Sequence, residues 1–351
     1  MTVRPFLATC LLAACLVGSA AAQSTLDRAV IGATAPLSEA QKSALAGFAD
    51  KSIAAIRDGD DIADARAALI VPARDPAATV NFRKAYSALL IAELGPTVKG
   101  KDLLRAVNAM QVVRFARTQE AADLLIDRLS TTAETDPAKR IAAASLLVDL
   151  AEDLDAGNAY FEPAARRVRD ACANETDWIA LQQKLAALSA ASRRKELPAE
   201  VARGVRKAQA EAIASVAKSI RTSKVADPRM QALQRTLIGL RNDLLTMPQT
   251  ERSALAKVFA PALSDMLAAS SAQWTVAHAD TAMNASYGAV ANSCEVLLRL
   301  LDRGERPQAY ANAKPESDTR LLAAAWESGD QAKFDAEAKR WAGIVAAAPY
   351  R

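Results

Sequence analysis

His278 is the chain's one histidine, and that single count limits the chemistry available. It sits in Trp274-Thr-Val-Ala-His278-Ala-Asp280-Thr-Ala-Met-Asn284-Ala-Ser286-Tyr287. Helical spacing puts it on a face with Thr281, with Trp274 and Tyr287 nearby, which sketches a small polar pocket. A His-x-x-x-His zinc site needs a second histidine, and no Cys-x-x-Cys pair stands in for it. A Ser-His-Asp triad would have to use His278, but no Gly-x-Ser-x-Gly elbow accompanies it. The simpler expectation is a half-buried or surface histidine on a helix.

Three other patterns come close to a chemistry and stop short. Gly95-Pro-Thr-Val-Lys-Gly100-Lys101-Asp102 has the glycine and lysine spacing of a phosphate-binding loop. Asp102 replaces the hydroxyl residue that would hold magnesium, and its carboxylate would repel phosphate. Pro96 also removes one N–H from the cradle. Ser192-Arg-Arg-Lys195 and Ser215-Val-Ala-Lys218 match Ser-x-x-Lys, without the Ser-Asp-Asn and Lys-Thr-Gly that penicillin-binding enzymes also need. Asp58-Gly-Asp60-Asp61-Ile-Ala-Asp64 clusters acids, but Ile62 and Ala63 occupy positions where a calcium loop needs oxygen ligands. Acids at a helix start explain the cluster more simply. No cofactor or metal is expected, and no residue is assigned to catalysis.

One surface feature remains. On a helical wheel, Val201, Val205, Ala212, Val216 and Ile220 form an apolar stripe. Arg203, Arg206, Lys207, Lys218 and Arg221 fall on or near the opposite face. This is the pattern of a solvated helix, and also a candidate face for an anionic partner such as a lipid headgroup, polysaccharide or peptide. No aromatics interleave with the cations for base stacking, so nucleic acid is not expected.

The elements that hold these residues read as helices almost throughout. The apolar content of 51% is carried largely by Ala and Leu, and aromatics make up only 5%. No stretch alternates apolar and polar residues, so an all-α fold is expected. Net charge is +4 from 44 basic and 40 acidic residues, a near balance that by itself implies no polyanionic partner. Ser38-Glu-Ala-Gln41 makes a capping box, predicting a helix to about Arg57 that stops at Gly59. A further helix should run from Asp61 to Val71 and end at Pro72. Asp75-Pro76, Asp136-Pro137 and Asp227-Pro228 each predict a helix start, and Gly95-Pro96 predicts a stop. Long helices are expected over residues 175–193, 199–221, 228–245, 249–268 and 275–301. A helix pair should turn at Gly329-Asp330. Cys172 and Cys294 read as buried small hydrophobes, with a disulfide between them as the alternative.

The N-terminus reads as an export signal: Arg4, an apolar run from Phe6 to Val17, small residues, and an Ala20-x-Ala22 cleavage pattern before Gln23. Residues 1–22 would be removed and 23–36 would form a flexible lead-in. Leu12-Ala-Ala-Cys15 also resembles the lipobox of bacterial lipoproteins, which would make Cys15 a lipid-bearing first residue. The expected location is thus periplasmic or extracellular, with a membrane-tethered lipoprotein as the alternative. No later run is long and apolar enough to span a bilayer.

The string Asp136-Pro137-Ala-Lys-Arg140-Ile-Ala-Ala-Ala-Ser-Leu146-Leu147 resembles the first helix of a HEAT-type repeat pair. Leu104-Arg105-Ala-Val-Asn-Ala-Met110 is similar one unit earlier, and Arg83-Lys-Ala85-Tyr-Ser-Ala-Leu89-Leu90 is a further loose echo. The resemblance covers about residues 75–175 and implies a helical solenoid that binds partners on its surface. On this reading 37–195 is a HEAT-like region, and 196–351 a bundle or further hairpins. The expected function is a non-catalytic scaffold for protein or a cell-envelope component. The alternative is an all-α exported enzyme using Asp or Glu acid–base catalysis, for example on polysaccharide.

Overall fold

The computed structural model describes residues 26–312 and 320–351; the signal and Cys15 lie outside them. The described residues form 17 α-helices and no strand, with one isolated bridge between Thr118 and Asp155. None of these helices is long and apolar enough to cross a membrane.

The chain opens with α1 (Arg28–Ile31), α2 (Glu39–Asp58) and α3 (Ile62–Arg74). The capping box is present: Gln41 N–H donates to Ser38 Oγ at 3.3 Å, and Ser38 N–H to Gln41 Oε1 at 2.9 Å. Gly59 caps the C-terminus of α2. Residues 26–36, expected as a flexible lead-in, instead pack against the body through buried Val30 and Ile31. Pro72 does not end α3, which continues to Arg74.

Then come α4 (Val80–Val98), α5 (Leu103–Arg114), α6 (Gln119–Ile126) and α7 (Pro137–Asp153). Asp136-Pro137 starts α7 as expected, with Asp136 Oδ1 accepting from Ala138 N–H. Asp75-Pro76 does not start α4. Asp75 Oδ1 accepts the Ala77 N–H in a turn, and Thr79 takes over as the cap. Thr79 is fixed there by tertiary bonds, its N–H to Ile31 O and its hydroxyl to Ala33 O. Gly95-Pro96 is not a stop either. Pro96 forfeits one bond in the last turn, but Leu94 and Val98 are fully buried on either side. Their burial, about 1.5–3 kcal/mol each, offsets the cost of an interior proline, about 3 kcal/mol.

The second half contains α8 (Asn158–Ala173), α9 (Trp178–Ser192), α10 (Ala199–Arg221), α11 (Arg229–Thr246) and α12 (Gln249–Ala272). It continues with α13 (Trp274–His278), α14 (Thr281–Glu305), α15 (Pro307–Asn312), α16 (Leu321–Glu327) and α17 (Gln331–Val345). The helix expected over 275–301 is broken at Asp280, whose carboxylate caps α14 through Met283 N–H. The closing pair turns at Gly329, whose φ of +71° is a left-handed conformation that glycine tolerates best.

Contacts between these helices run in two series. α2, α4, α6, α8, α10, α12 and α17 each touch the next in that order. So do α3, α5, α7, α9, α11, α14 and α16, and neighbouring members of the two series pack across the core. One buried apolar cluster extends from Val30 to Tyr350 and crosses residue 195 without a break. Its alanines allow close helix approach, while Trp274, Trp326 and Phe334 fill the wider space near the C-terminus.

In the second series, cations near the helix N-termini reach back to carbonyls of earlier segments. Arg105 bonds Ile56 O at 3.1 Å, Lys139 bonds Gly100 O at 2.7 Å, and Arg229 bonds Glu175 O at 3.3 Å. The strongest tie is a buried ionic cluster. Arg140 donates twice to the Glu175 carboxylate at 2.8 Å, and Lys184 Nζ adds a bond at 2.6 Å. Thr176 and Asp177 N–H groups complete the shell around Glu175 Oε1. Burial alone would raise the Glu175 pKa, but the bonds from Arg140, Lys184 and the backbone outweigh it and hold it at about 2.

Candidate functional site

The residues singled out by spacing are scattered. His278 stacks on Trp274, with ring centroids 4.2 Å apart, and lies 4.3 Å from the Trp326 ring. Its Nδ1 and Nε2 face the carbonyls of Trp274 and Trp326 at 3.0 and 3.4 Å. It is therefore a wedge in an aromatic cluster, far in character from a catalytic base. Gly95 and Pro96 lie inside α4, Gly100 O accepts from Lys139, and Asp102 caps α5, so the loop-like string is an interhelical turn. Asp61 takes the N-cap position of α3 without a side-chain cap bond. Ser215 and Lys218 lie exposed on α10, and Ser192 is buried with its hydroxyl bonded to Ser189 O. Cys172 and Cys294 are both free and buried, and burial pushes the Cys172 thiol up to about 12. The disulfide alternative is not realised.

The basic face of α10 is largely engaged in ion pairs. Arg221 meets Asp265 of α12 at 2.6 Å, and Arg206 bonds Glu251 of α12. Arg203 pairs with Glu200 at 3.1 Å, and Lys207 lies 3.9 Å from Glu211. Only Lys218 of the five makes no ion pair among the described residues. Similar bridges tie α2 to α4 through Arg57–Glu93 and α8 to α10 through Arg169–Glu211. Of the five, Arg206 and Arg221 thus work as struts to α12 within the first series, while Arg203 and Lys207 pair along α10 itself.

A more promising feature lies on the other series. A cleft of about 590 Å³ runs along α9, bounded by α7 and α11 and floored by α10. On α9, Gln182, Ala186 and Ser189, followed by Arg193 at its C-cap, recur every three or four residues and so line one face. Small groups keep it open: Ala186 and Ala190 on α9, and Gly239 on α11. A Cβ at Gly239 would come within 3.4 Å of Arg193 Nη2. The bare glycine leaves room for Arg193 to bond Asp243 twice, at 3.2 and 2.9 Å.

The rim is cationic. Arg194 is held by Leu154 O at 2.7 Å, and Arg235 by Gln182 Oε1 at 3.0 Å. Lys195 is exposed and makes no ion pair among the described residues. The lining acids, Glu152 and Glu196, are both exposed, and Glu196 pairs with Arg194 at 3.3 Å.

The floor holds the unusual group. Gln209 is 1% exposed, and its Nε2 makes a long bond of 3.5 Å to Leu185 O. Its Oε1 has no hydrogen-bond partner among the described residues. Reversing the amide would set oxygen against the Leu185 carbonyl, so the orphan is an acceptor. Such a buried acceptor costs about 1–3 kcal/mol when left unsatisfied. Nothing in the motif reading pointed to Gln209, although a signal was there: it falls within the apolar stripe of α10, between Val205 and Ala212.

A second cleft of about 750 Å³ lies between α4 and α6. Its buried hydroxyls are mutually satisfied, Ser87 Oγ and Thr118 Oγ1 lying 2.6 Å apart. It therefore offers a ligand less than the α9 cleft does. Among the described residues no group of three or more His, Cys, Asp or Glu is placed to hold a metal ion.

Comparison with known proteins adds no relative: no family model, curated protein or solved structure matches this chain.

Proposed function

We propose that the chain is an exported helical scaffold, a HEAT-like stack of helix pairs that binds a protein of the cell envelope and performs no chemistry of its own. The observation that carries this reading is the cleft along α9, with its open form, cationic rim and unsatisfied floor. The two series of helices, each member packed on the next, support the stacked arrangement. Exposed large apolar residues add to it, since Val71, Leu103, Leu104, Ile179, Ile238 and Leu245 belong to α3, α5, α9 and α11 of the second series, against Val80 alone on the first among the described residues. The acids of the cleft favour binding over acid–base catalysis. A general acid needs a shielded carboxyl, and Glu152 and Glu196 face solvent. Export rests on residues 1–22, with release after Ala22 or tethering at Cys15 as its two forms.

A photo-crosslinker placed at Ile238, and separately at Lys207, tests the reading in intact cells. A discrete product with an envelope protein from Ile238, and little from Lys207, is expected. Equal labelling from both positions, or none from Ile238, would contradict it. Mass measurement of the purified chain should find Gln23 or a lipidated Cys15 at the N-terminus; a chain retaining Met1 would rule out processing.

A further inference from the structure

We infer that the α9–α11 cleft takes an extended, acidic peptide segment, whose backbone N–H donates to Gln209 Oε1 and whose carboxylates lie against Lys195 and Arg235. The inference rests on the protein-binding reading above and names the chemistry of the bound segment.

Four features converge on this occupant. Gln209 Oε1 is a buried acceptor without a donor, so the ligand must bring an N–H or O–H to the cleft floor. Four lining cations, Arg193, Arg194, Lys195 and Arg235, outnumber the lining acids Glu152 and Glu196. Arg193 and Arg194 already form ion pairs with Asp243 and Glu196, which leaves Lys195 and the exposed Arg235, hydrogen-bonded only to the neutral Gln182 amide, to meet a ligand's charge. From Gln182 to Ser192 the helical wall of the cleft is about 15 Å long at 1.5 Å per residue, the length of about five residues of extended chain.

The walls choose between an acidic peptide and an acidic polysaccharide. Val148, Leu185, Ala186 and Ala190 give an aliphatic lining, and no lining residue is aromatic. Sugar rings are commonly held by stacking their C–H faces on aromatic rings, whereas aliphatic walls suit the side chains of a peptide. An amide N–H also recurs along a peptide at every residue, so one can reach Gln209 while side-chain acids reach the rim.

The test uses the full mature chain and a fluorescein-labelled ten-residue peptide of alternating glutamate and leucine, read by fluorescence anisotropy. Binding is expected, with affinity falling at least about tenfold when glutamine replaces every glutamate in the peptide. The paired change Lys195→Glu and Arg235→Glu should weaken binding by a similar factor and leave the circular dichroism spectrum unchanged. Gln209→Leu separates ligation from structure. Removing an unsatisfied buried acceptor should hold or raise Tm while weakening the peptide about fivefold or more. A purely structural Gln209 would lower Tm and leave affinity alone, overturning the assignment. Tighter binding of an oligouronate than of the peptide would also overturn it. Peptide binding that survives all three changes would reject this cleft and still allow partner binding elsewhere on the chain. Loss of the Ile238 crosslink would instead remove the broader reading.

Discussion

Replacing Glu175 by Gln should destabilise the chain by about 3 kcal/mol at pH 7. The carboxylate is fully buried and receives bonds from Arg140, Lys184 and two backbone N–H groups. Its pKa falls from 4.5 to about 2 in the folded chain. At 1.36 kcal/mol per pH unit, that drop corresponds to about 3 kcal/mol of preferential stability for the charged form. Removing one member of a buried pair costs a similar amount, about 3–5 kcal/mol, because the partner cations are left uncompensated. The sign follows from linkage. A carboxylate with a depressed folded pKa contributes fully above its unfolded value near 4.5 and loses that contribution as pH falls toward 2. Urea unfolding followed by circular dichroism should therefore show a midpoint about 1 M lower for Glu175→Gln at pH 7, taking a slope of about 3 kcal/mol/M. The gap should narrow steadily between pH 5 and pH 2.5. Lys184→Met is the contrast. Burial lowers the Lys184 pKa, opposing its bond to Glu175, and Arg140 would still neutralise the carboxylate. Removing Lys184 should therefore cost distinctly less than Glu175→Gln, about 1–2 kcal/mol for the Ala171 and Glu175 acceptors it leaves. A Glu175→Gln loss below 1 kcal/mol, or a gap independent of pH, would refute the view of this cluster as the main tie between α7 and α9.

Other consequences follow from single contacts. Arg206→Ala should cost about 2 kcal/mol by stranding the buried Glu251, whereas Lys218→Ala on the same helix should stay within about 0.5 kcal/mol; urea midpoints compare them. Gly288→Ala should cost about 1–3 kcal/mol, since its Cβ would lie 2.6 Å from Trp326 Cδ1, and tryptophan emission should shift as that ring moves. Asp136→Ala should lose about 1 kcal/mol with the cap of α7, and Asp75→Ala distinctly less, since Asp75 caps only a turn; paired thermal melts decide.

The all-helical class was legible because Ala and Leu dominate without strand alternation, and Ser38 and Asp136 marked true helix starts. Local signals failed where distant contacts decided. Thr79 outranks Asp75 because Ile31 and Ala33 hold it, and Pro96 is carried through by the burial around it. Asp280 breaks a helix whose apolar pattern looks continuous. The basic face of α10 was visible on a wheel, but its partners were not: Glu251 and Asp265 stand more than 40 residues away. The candidate site was least legible. A glutamine amid an apolar stripe is a clue, but only packing reveals which of its atoms lacks a partner.

Hydrogen exchange of the full chain, with and without the acidic peptide, bears most directly on the central claim that the α9–α11 cleft is the binding surface. The account predicts new protection confined to the cleft walls, residues 148–152, 182–196 and 235–239. Protection on the outer faces of α10 and α12, or no change at saturating peptide, would contradict it.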